Sequence, residues 1–141
     1  MPVTKTRRTA GGSLVAVCAV IVRDGRVLAM RRAITKDAAP GAWETVSGRV
    51  HADEEPIDAV RREIAEECGL DVTLSSKPVT TYEAMRGDEP MTVIVYSGTT
   101  DSSAVRRSHE HDEHRWCTAS EFAKLCPFPQ LVDVVRSLLT N

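Results

Sequence analysis

Residues 48–70, GRVHADEEPIDAVRREIAEECGL, decide how this chain is read. The stretch opens on Gly48, gathers acids ahead of Pro56 and continues as one helical pattern to Gly69. Pro56 suits a first helical turn, where its missing N–H would go unpaired anyway, and Gly69 suits the left-handed residue just past a helix end. The spacing predicts a helix over Pro56–Cys68, roughly 20 Å long at 1.5 Å per residue. Ile57, Val60, Ile64 and Cys68 fall on one stripe, so that side should face a core. Glu63, Glu66 and Glu67 stand at i, i+3 and i+4 and project together beside it. Carboxylates so close repel by about 0.2–0.5 kcal/mol per pair. Two arrangements offset this: a solvated face salt-bridged to Arg61 and Arg62, or a site for a hard divalent cation such as Mg²⁺ or Mn²⁺ that also holds phosphate.

The whole stretch resembles the Nudix box, G-x5-E-x7-R-E-U-x-E-E-x-G-U with U aliphatic. Gly48, Glu54, Arg62, Glu63, Ile64, Glu66, Glu67, Gly69 and Leu70 fill its nine specified positions, a match far more specific than a lone glycine motif. The resemblance implies an α/β fold, an α/β/α sandwich with a mixed β-sheet between helices. It implies that Glu63, Glu66 and Glu67 ligate Mg²⁺, with Mn²⁺ as a substitute. Arg62 and Glu54 would orient the loop and helix, and Gly48 and Gly69 would serve the backbone.

The remaining sequence bounds the reading. A chain of 141 residues, 42% hydrophobic and 27% charged, makes one globular domain with its own core. Residues 1–12, polar and ending in Gly11-Gly12, read as a flexible tail, and 13–141 as the domain. A net charge of −2 gives no reason to expect nucleic-acid or anionic-membrane partners. Cys18, Cys68, Cys117 and Cys126 lack C-x-x-C spacing and read as buried free thiols in a reducing compartment. The apolar run after the basic N-terminus is broken by Arg23 and Asp24, too short for a membrane span, so the expected location is cytoplasmic. Nudix domains often form homodimers, and nothing in the sequence decides that here.

Leu14 to Val22 is a continuous β-prone run, as in a strand buried on both faces. Asp24-Gly25 signals a tight hairpin to a partner strand over Arg26 to Met30. Paired arginines at a strand end, Arg31 and Arg32, commonly mark a solvated edge. A similar strand end in the Nudix branch that removes oxidised nucleotides supplies a phosphate contact, which the resemblance assigns to Arg32. The segment Trp43-Glu44-Thr45-Val46-Ser47-Gly48 resembles the family's Trp-Glu-Phe-Pro-Gly-Gly, departing from it at Thr45, Val46 and Ser47. By that likeness the Ser47 carbonyl is a metal ligand and Glu44 joins the substrate-binding residues. Trp43 reads as core before stacking platform.

Val72 to Tyr82 and Met91 to Gly98 read as strands separated by a turn over residues 86–90. In His109-Glu110-His111-Asp112-Glu113-His114, a zinc H-E-x-x-H motif would need histidine where Glu113 stands. Family members often carry a glutamate in this loop, ahead of a tryptophan strand, that binds metal or orients the attacking water. Glu110, six residues before Trp116, takes that part, with Glu113 as runner-up. The histidines are assigned to phosphate or solvent only. The His-Glu-His and Trp-Cys pairs also look like those of pyrimidine-triphosphate members. Thr118 to Glu121 is a capping box, and Pro127 to Leu139 gives a last helix with an ordinary core face. Gln130, near its start, is either an exposed amide or a reader of the nucleobase.

The function implied is hydrolysis of a nucleoside triphosphate, oxidised or not, to a monophosphate and pyrophosphate. The general base stays open among Glu63, Glu67 and Glu110. The alternatives are hydrolysis of a diphosphate linked to another group, such as ADP-ribose or a sugar nucleotide, and a non-catalytic nucleotide sensor.

Overall fold

The computed structural model describes residues 5–36 and 38–139. Eight strands form one mixed sheet: β1 (Leu14–Arg23), β2 (Arg26–Arg32), β3 (Trp43–Glu44), β4 (Val46–Arg49), β5 (Thr73–Leu74), β6 (Thr80–Arg86), β7 (Glu89–Thr99) and β8 (His111–Cys117). Three helices accompany it: α1 (Pro56–Glu67), α2 (Ala119–Leu125) and α3 (Pro129–Leu139).

β1 is the axis of the sheet. Along one edge it runs parallel to β7, Leu14 opposite Met91 through Val22 opposite Thr99. Along the other, Ala16 to Ala19 pair antiparallel with β4. The β1–β2 hairpin closes through Asp24 (φ 52°) and Gly25 (φ 74°), the two left-handed residues that match strand twist. β2 pairs with β1 only at Val22–Val27 and Arg23–Arg26, then bonds instead with β3 and β8.

Successive side chains of a strand point to opposite faces, and β1 buries both. Val15, Val17, Ala19 and Ile21 pack with Ala59, Val60, Ile64 and Cys68 of the α1 layer. Ala16, Cys18 and Val20 pack with Phe122, Cys126, Leu131 and Val135 of the α2–α3 layer. The expected α/β/α sandwich is therefore present. At roughly 25 cal/mol per Å² of apolar surface, this two-sided burial supplies the main stabilisation.

The four cysteines are free and buried, and burial pushes the Cys18 thiol up to about 12. Trp43 is a core residue, with the Arg31 and Arg115 guanidiniums 5.9 and 5.4 Å from its ring centre. Thr118 and Glu121 cap α2 reciprocally. Three sequence expectations differ from the structure. Val72 to Tyr82 is not one strand: β5 covers only two residues, and β6 begins at Thr80. The turn after it is the two residues Gly87-Asp88, between the pair Arg86–Glu89, where Gly87 supplies φ 63°. Residues 5–9 of the expected tail are docked: Thr6 bridges to His51 and Arg8 to Leu14.

Candidate active site

α1 ends as its sequence dictates: Gly69 takes φ 66° and donates to the Ile64 carbonyl at 2.9 Å. Packing of Ala59, Val60 and Ile64 against β1 fixes which carboxylates turn inward. Glu63 and Glu67 are buried under the sheet, whereas Glu66 faces solvent, 57% exposed and 3.5 Å from Arg62. The expected trio is thus a buried pair plus an outlying third, because i+3 and i+4 positions diverge by about 100° around a helix.

Arg62 organises the first half of the site. Its Nη2 and Nε donate to the Glu54 carboxylate at 2.7 and 3.2 Å, its Nη1 to Glu63 at 2.6 Å, and Nη2 also to the Arg49 carbonyl at 3.1 Å. Glu54 further accepts the His51 N–H at 2.9 Å, and the Arg62 guanidinium holds its carboxyl below the usual range. This fork–fork pairing ties the loop before α1 to the middle of the helix. Gly48 lies beneath Glu63, and a Cβ there would overlap the Glu63 carboxyl, only 2.7 Å from Oε2. A glycine is required at this position for space, not for its φ.

The second half centres on Glu44 and Glu67. Glu44 accepts Arg32 Nη1 at 3.1 Å and the Ser47 hydroxyl at 3.1 Å. His111 Nε2 lies 2.9 Å from the same carboxylate. The Ser47 N–H donates to Glu67 Oε1 at 3.3 Å. Glu67 is 1% exposed, and its pKa is driven well up by burial, by a hydrogen bond with Glu63 and by the charges of Glu63 and Glu44.

Other sequence-assigned residues stand further out. Arg32 is mostly buried and committed to Glu44 and to the Ala38 carbonyl (2.8 Å), so it builds the site wall. Glu110 is half-exposed, 3.6 Å from Lys36, and Glu113 pairs with Arg31. Gln130 is exposed in the first turn of α3. The histidines divide. His109 is exposed and His114 is bonded to Arg107. His111 is buried, contrary to the assignment to phosphate or solvent, because it enters β8 opposite Arg32 at a register shift. Its Nδ1 has no hydrogen-bond partner among the described residues and faces Glu67 Oε1 at 3.9 Å.

Among the described residues, no three acidic, histidine or cysteine side chains stand ready as a metal cluster. The donor chemistry nevertheless fits a hard divalent cation. Glu63 and Glu67 present carboxyl oxygens that the two site arginines do not fully balance, beside an orphaned histidine nitrogen, and oxygen-rich sets of this kind suit Mg²⁺.

Comparisons with known proteins agree with this geometry. The NUDIX domain model matches residues 12–136. CTP pyrophosphohydrolase of Escherichia coli (strain K12) is 32% identical over 108 residues, spanning 74% of this chain and 76% of that protein. Nucleoside triphosphatase NudI of Salmonella arizonae is 29% identical over 117 residues, spanning 76% and 83%. The crystal structure of a MutT protein from Methanosarcina mazei Go1 shares the fold, with a TM-score of 0.80 at 21% identity over 99% of this chain and 100% of that one. A complete box on α1, a sandwich built around β1 and a family match over nearly the whole chain lead to one conclusion: the protein belongs to the NUDIX domain family and is a hydrolase of phosphoric anhydride bonds.

Proposed function

We propose that this chain hydrolyses a nucleoside triphosphate, in the presence of Mg²⁺ or Mn²⁺, to a nucleoside monophosphate and pyrophosphate. The observation that carries the reading is the buried Glu63–Glu67 pair of carboxyls, served by one guanidinium that Glu63 shares with Glu54. Two relatives carry names that specify triphosphate substrates, a CTP pyrophosphohydrolase and a nucleoside triphosphatase.

Glu63, Glu66, Glu67 and the Ser47 carbonyl would form the ligand set. A cation held there would neutralise phosphate charge and acidify a water. The chain's own residues supply placement. Arg62 and Glu54 hold Glu63, and Ser47 and His111 hold the Glu44–Glu67 side. A base must meet solvent-borne water, and Glu110 is 40% exposed where Glu63 and Glu67 are buried. Solvent access therefore favours Glu110 as acceptor of the proton from the attacking water. Arg32 would meet phosphate through the guanidinium donors left over from Glu44 and the Ala38 carbonyl, and the exposed Gln130 would read a base.

The test is a panel of normal and oxidised nucleoside triphosphates, CTP first, beside ADP-ribose and sugar nucleotides, with Mg²⁺ or Mn²⁺ and chromatographic product identification. Pyrophosphate plus a monophosphate is expected. Turnover confined to diphosphate-linked compounds, or none at all, overturns the reading.

A further inference from the structure

Residues 5–9 make a larger contribution to the box loop than their position ahead of the domain suggests. The Arg7 N–H donates to the Val50 carbonyl at 2.8 Å, and the Val15 N–H donates to the Arg7 carbonyl at 2.9 Å. The Ala52 N–H donates to the Lys5 carbonyl at 2.8 Å, and Val50 N–H to the Val15 carbonyl at 2.9 Å. The start of the β4–α1 loop is thus bonded to β1 and also to the N-terminal segment. Further along the same loop, Arg7 Nη1 donates to the Glu54 backbone carbonyl at 2.8 Å.

We propose that residues 5–9 act as a strap on the box loop, and that Arg7 is a positioning residue acting through Glu54 on Arg62 and Glu63. Glu54 is gripped twice. Arg7 holds its carbonyl, and Arg62 holds its carboxylate while donating to Glu63 through a third nitrogen. A rotation of the Glu54 backbone would carry the carboxylate with it, and Arg62 would then drag or release Glu63. The Arg7–Glu55 ion pair, 3.6 Å apart with Glu55 70% exposed, is too solvated to matter. The carbonyl bond is part-buried and donated by a cation, which makes it the stronger contact.

The kinetic arm of the test rests on the triphosphatase reading; the exchange arm does not. In the full chain, Arg7→Ala is expected to lower kcat about tenfold, the loss of one charge-assisted hydrogen bond, with KM within about twofold. Arg7→Lys, which can still offer one donor to the carbonyl, should recover most of kcat, and Glu55→Ala should match wild type. Hydrogen exchange at the His51 and Glu54 amides should quicken about tenfold in Arg7→Ala while β1 and β7 amides keep their protection. Unchanged kcat overturns the proposal, as does a KM effect without a kcat effect. Exchange that quickens throughout the sheet also overturns it, since Arg7 would then be merely structural. If the wild type turns over no substrate, exchange decides alone, and unaltered protection at residues 51 and 54 overturns the strap.

Discussion

Glu67→Gln exchanges the most deeply buried carboxyl of the site for a neutral group of nearly the same shape. Glu67 has a pKa raised above 4.5, by burial first and then by Glu63 and Glu44. An acid raised in this way adds no penalty below pH 4.5 and destabilises the fold increasingly as pH climbs from there toward its folded value. At pH 7.5 folding takes up a proton across a gap of about 3 pH units, which sets a ceiling of about 4 kcal/mol at 1.36 kcal/mol per unit. Glutamine is neutral folded and unfolded, so it escapes that cost. Its carbonyl can keep the Ser47 N–H and its amide can donate to Glu63, the two contacts Glu67 makes now. In EDTA, the variant is expected to exceed wild type by about 1–3 kcal/mol at pH 7.5 and to match it near pH 4.5. Urea denaturation at pH 5, 6.5 and 8 measures the divergence. Adding Mg²⁺ should stabilise wild type by mass action and leave the variant nearly unmoved, and turnover should fall about a hundredfold or more. A variant less stable than wild type at every pH, or a difference that ignores pH, refutes the protonated-acid reasoning.

Two further substitutions probe the other half of the site. Gly48→Ala places a methyl against the Glu63 carboxyl, which must swing off Arg62; a loss of about 1–2 kcal/mol in stability and a fall of at least about tenfold in kcat are expected, by thermal melts and steady-state kinetics. Wild-type turnover in that variant would show that Glu63 need not sit where it does. Glu54→Gln weakens the Arg62 fork, and because the Glu54 carboxyl is held below its ordinary value, its contribution is present above pH 4.5 and lost as pH falls through the folded value. The variant should be about 1–2 kcal/mol less stable at pH 7, with the gap shrinking between pH 5 and 3; a gap constant over that range would rule out the ionised pair as its source.

The elements with strong local signals were legible in the sequence. Pro56 and Gly69 bracket α1, Asp24-Gly25 turns the first hairpin, and Thr118 with Glu121 caps α2, because each depends on backbone preferences of adjacent residues. The β1 run announced its two-sided burial since neither face carries a polar residue. What was hidden depends on distant pairing. β5 and β6 read as one strand because Val72–Leu74 and Val79–Tyr82 are both β-prone, yet the Ser75-Ser76-Lys77-Pro78 break between them is a turn signal, and the two segments pair separately with β7. His111 looked like its neighbours in a polar run. The register shift opposite Arg31 and Arg32 sends it inward, and no periodicity within residues 109–114 reveals that shift. Arg32 likewise read as a free cation because Glu44, twelve residues away, cannot be seen as its partner from spacing alone.

Charge counting across the site explains why these hidden contacts matter. Glu44, Glu54, Glu63 and Glu67 are largely withdrawn from solvent, and the guanidiniums bonded to them are Arg32 and Arg62. Four carboxylates against two arginines leave two negative charges without a guanidinium when all are ionised, and burial with the charges of Glu63 and Glu44 pushes the Glu67 carboxyl up. Neither arginine can simply be supplemented by a third, because an added fixed cation would satisfy Glu67 permanently and remove the attraction for a mobile one. A deficit of two charges matches one divalent ion. Full ionisation of such a cluster is unfavourable without a compensating cation, so a cation bound there would be linked to stability through the titration of Glu67. Arg62 then has a role that a lysine could not fill. By holding Glu54 and Glu63 with separate nitrogens, it neutralises the loop side of the cluster and confines the unmatched charge to the Glu67 side.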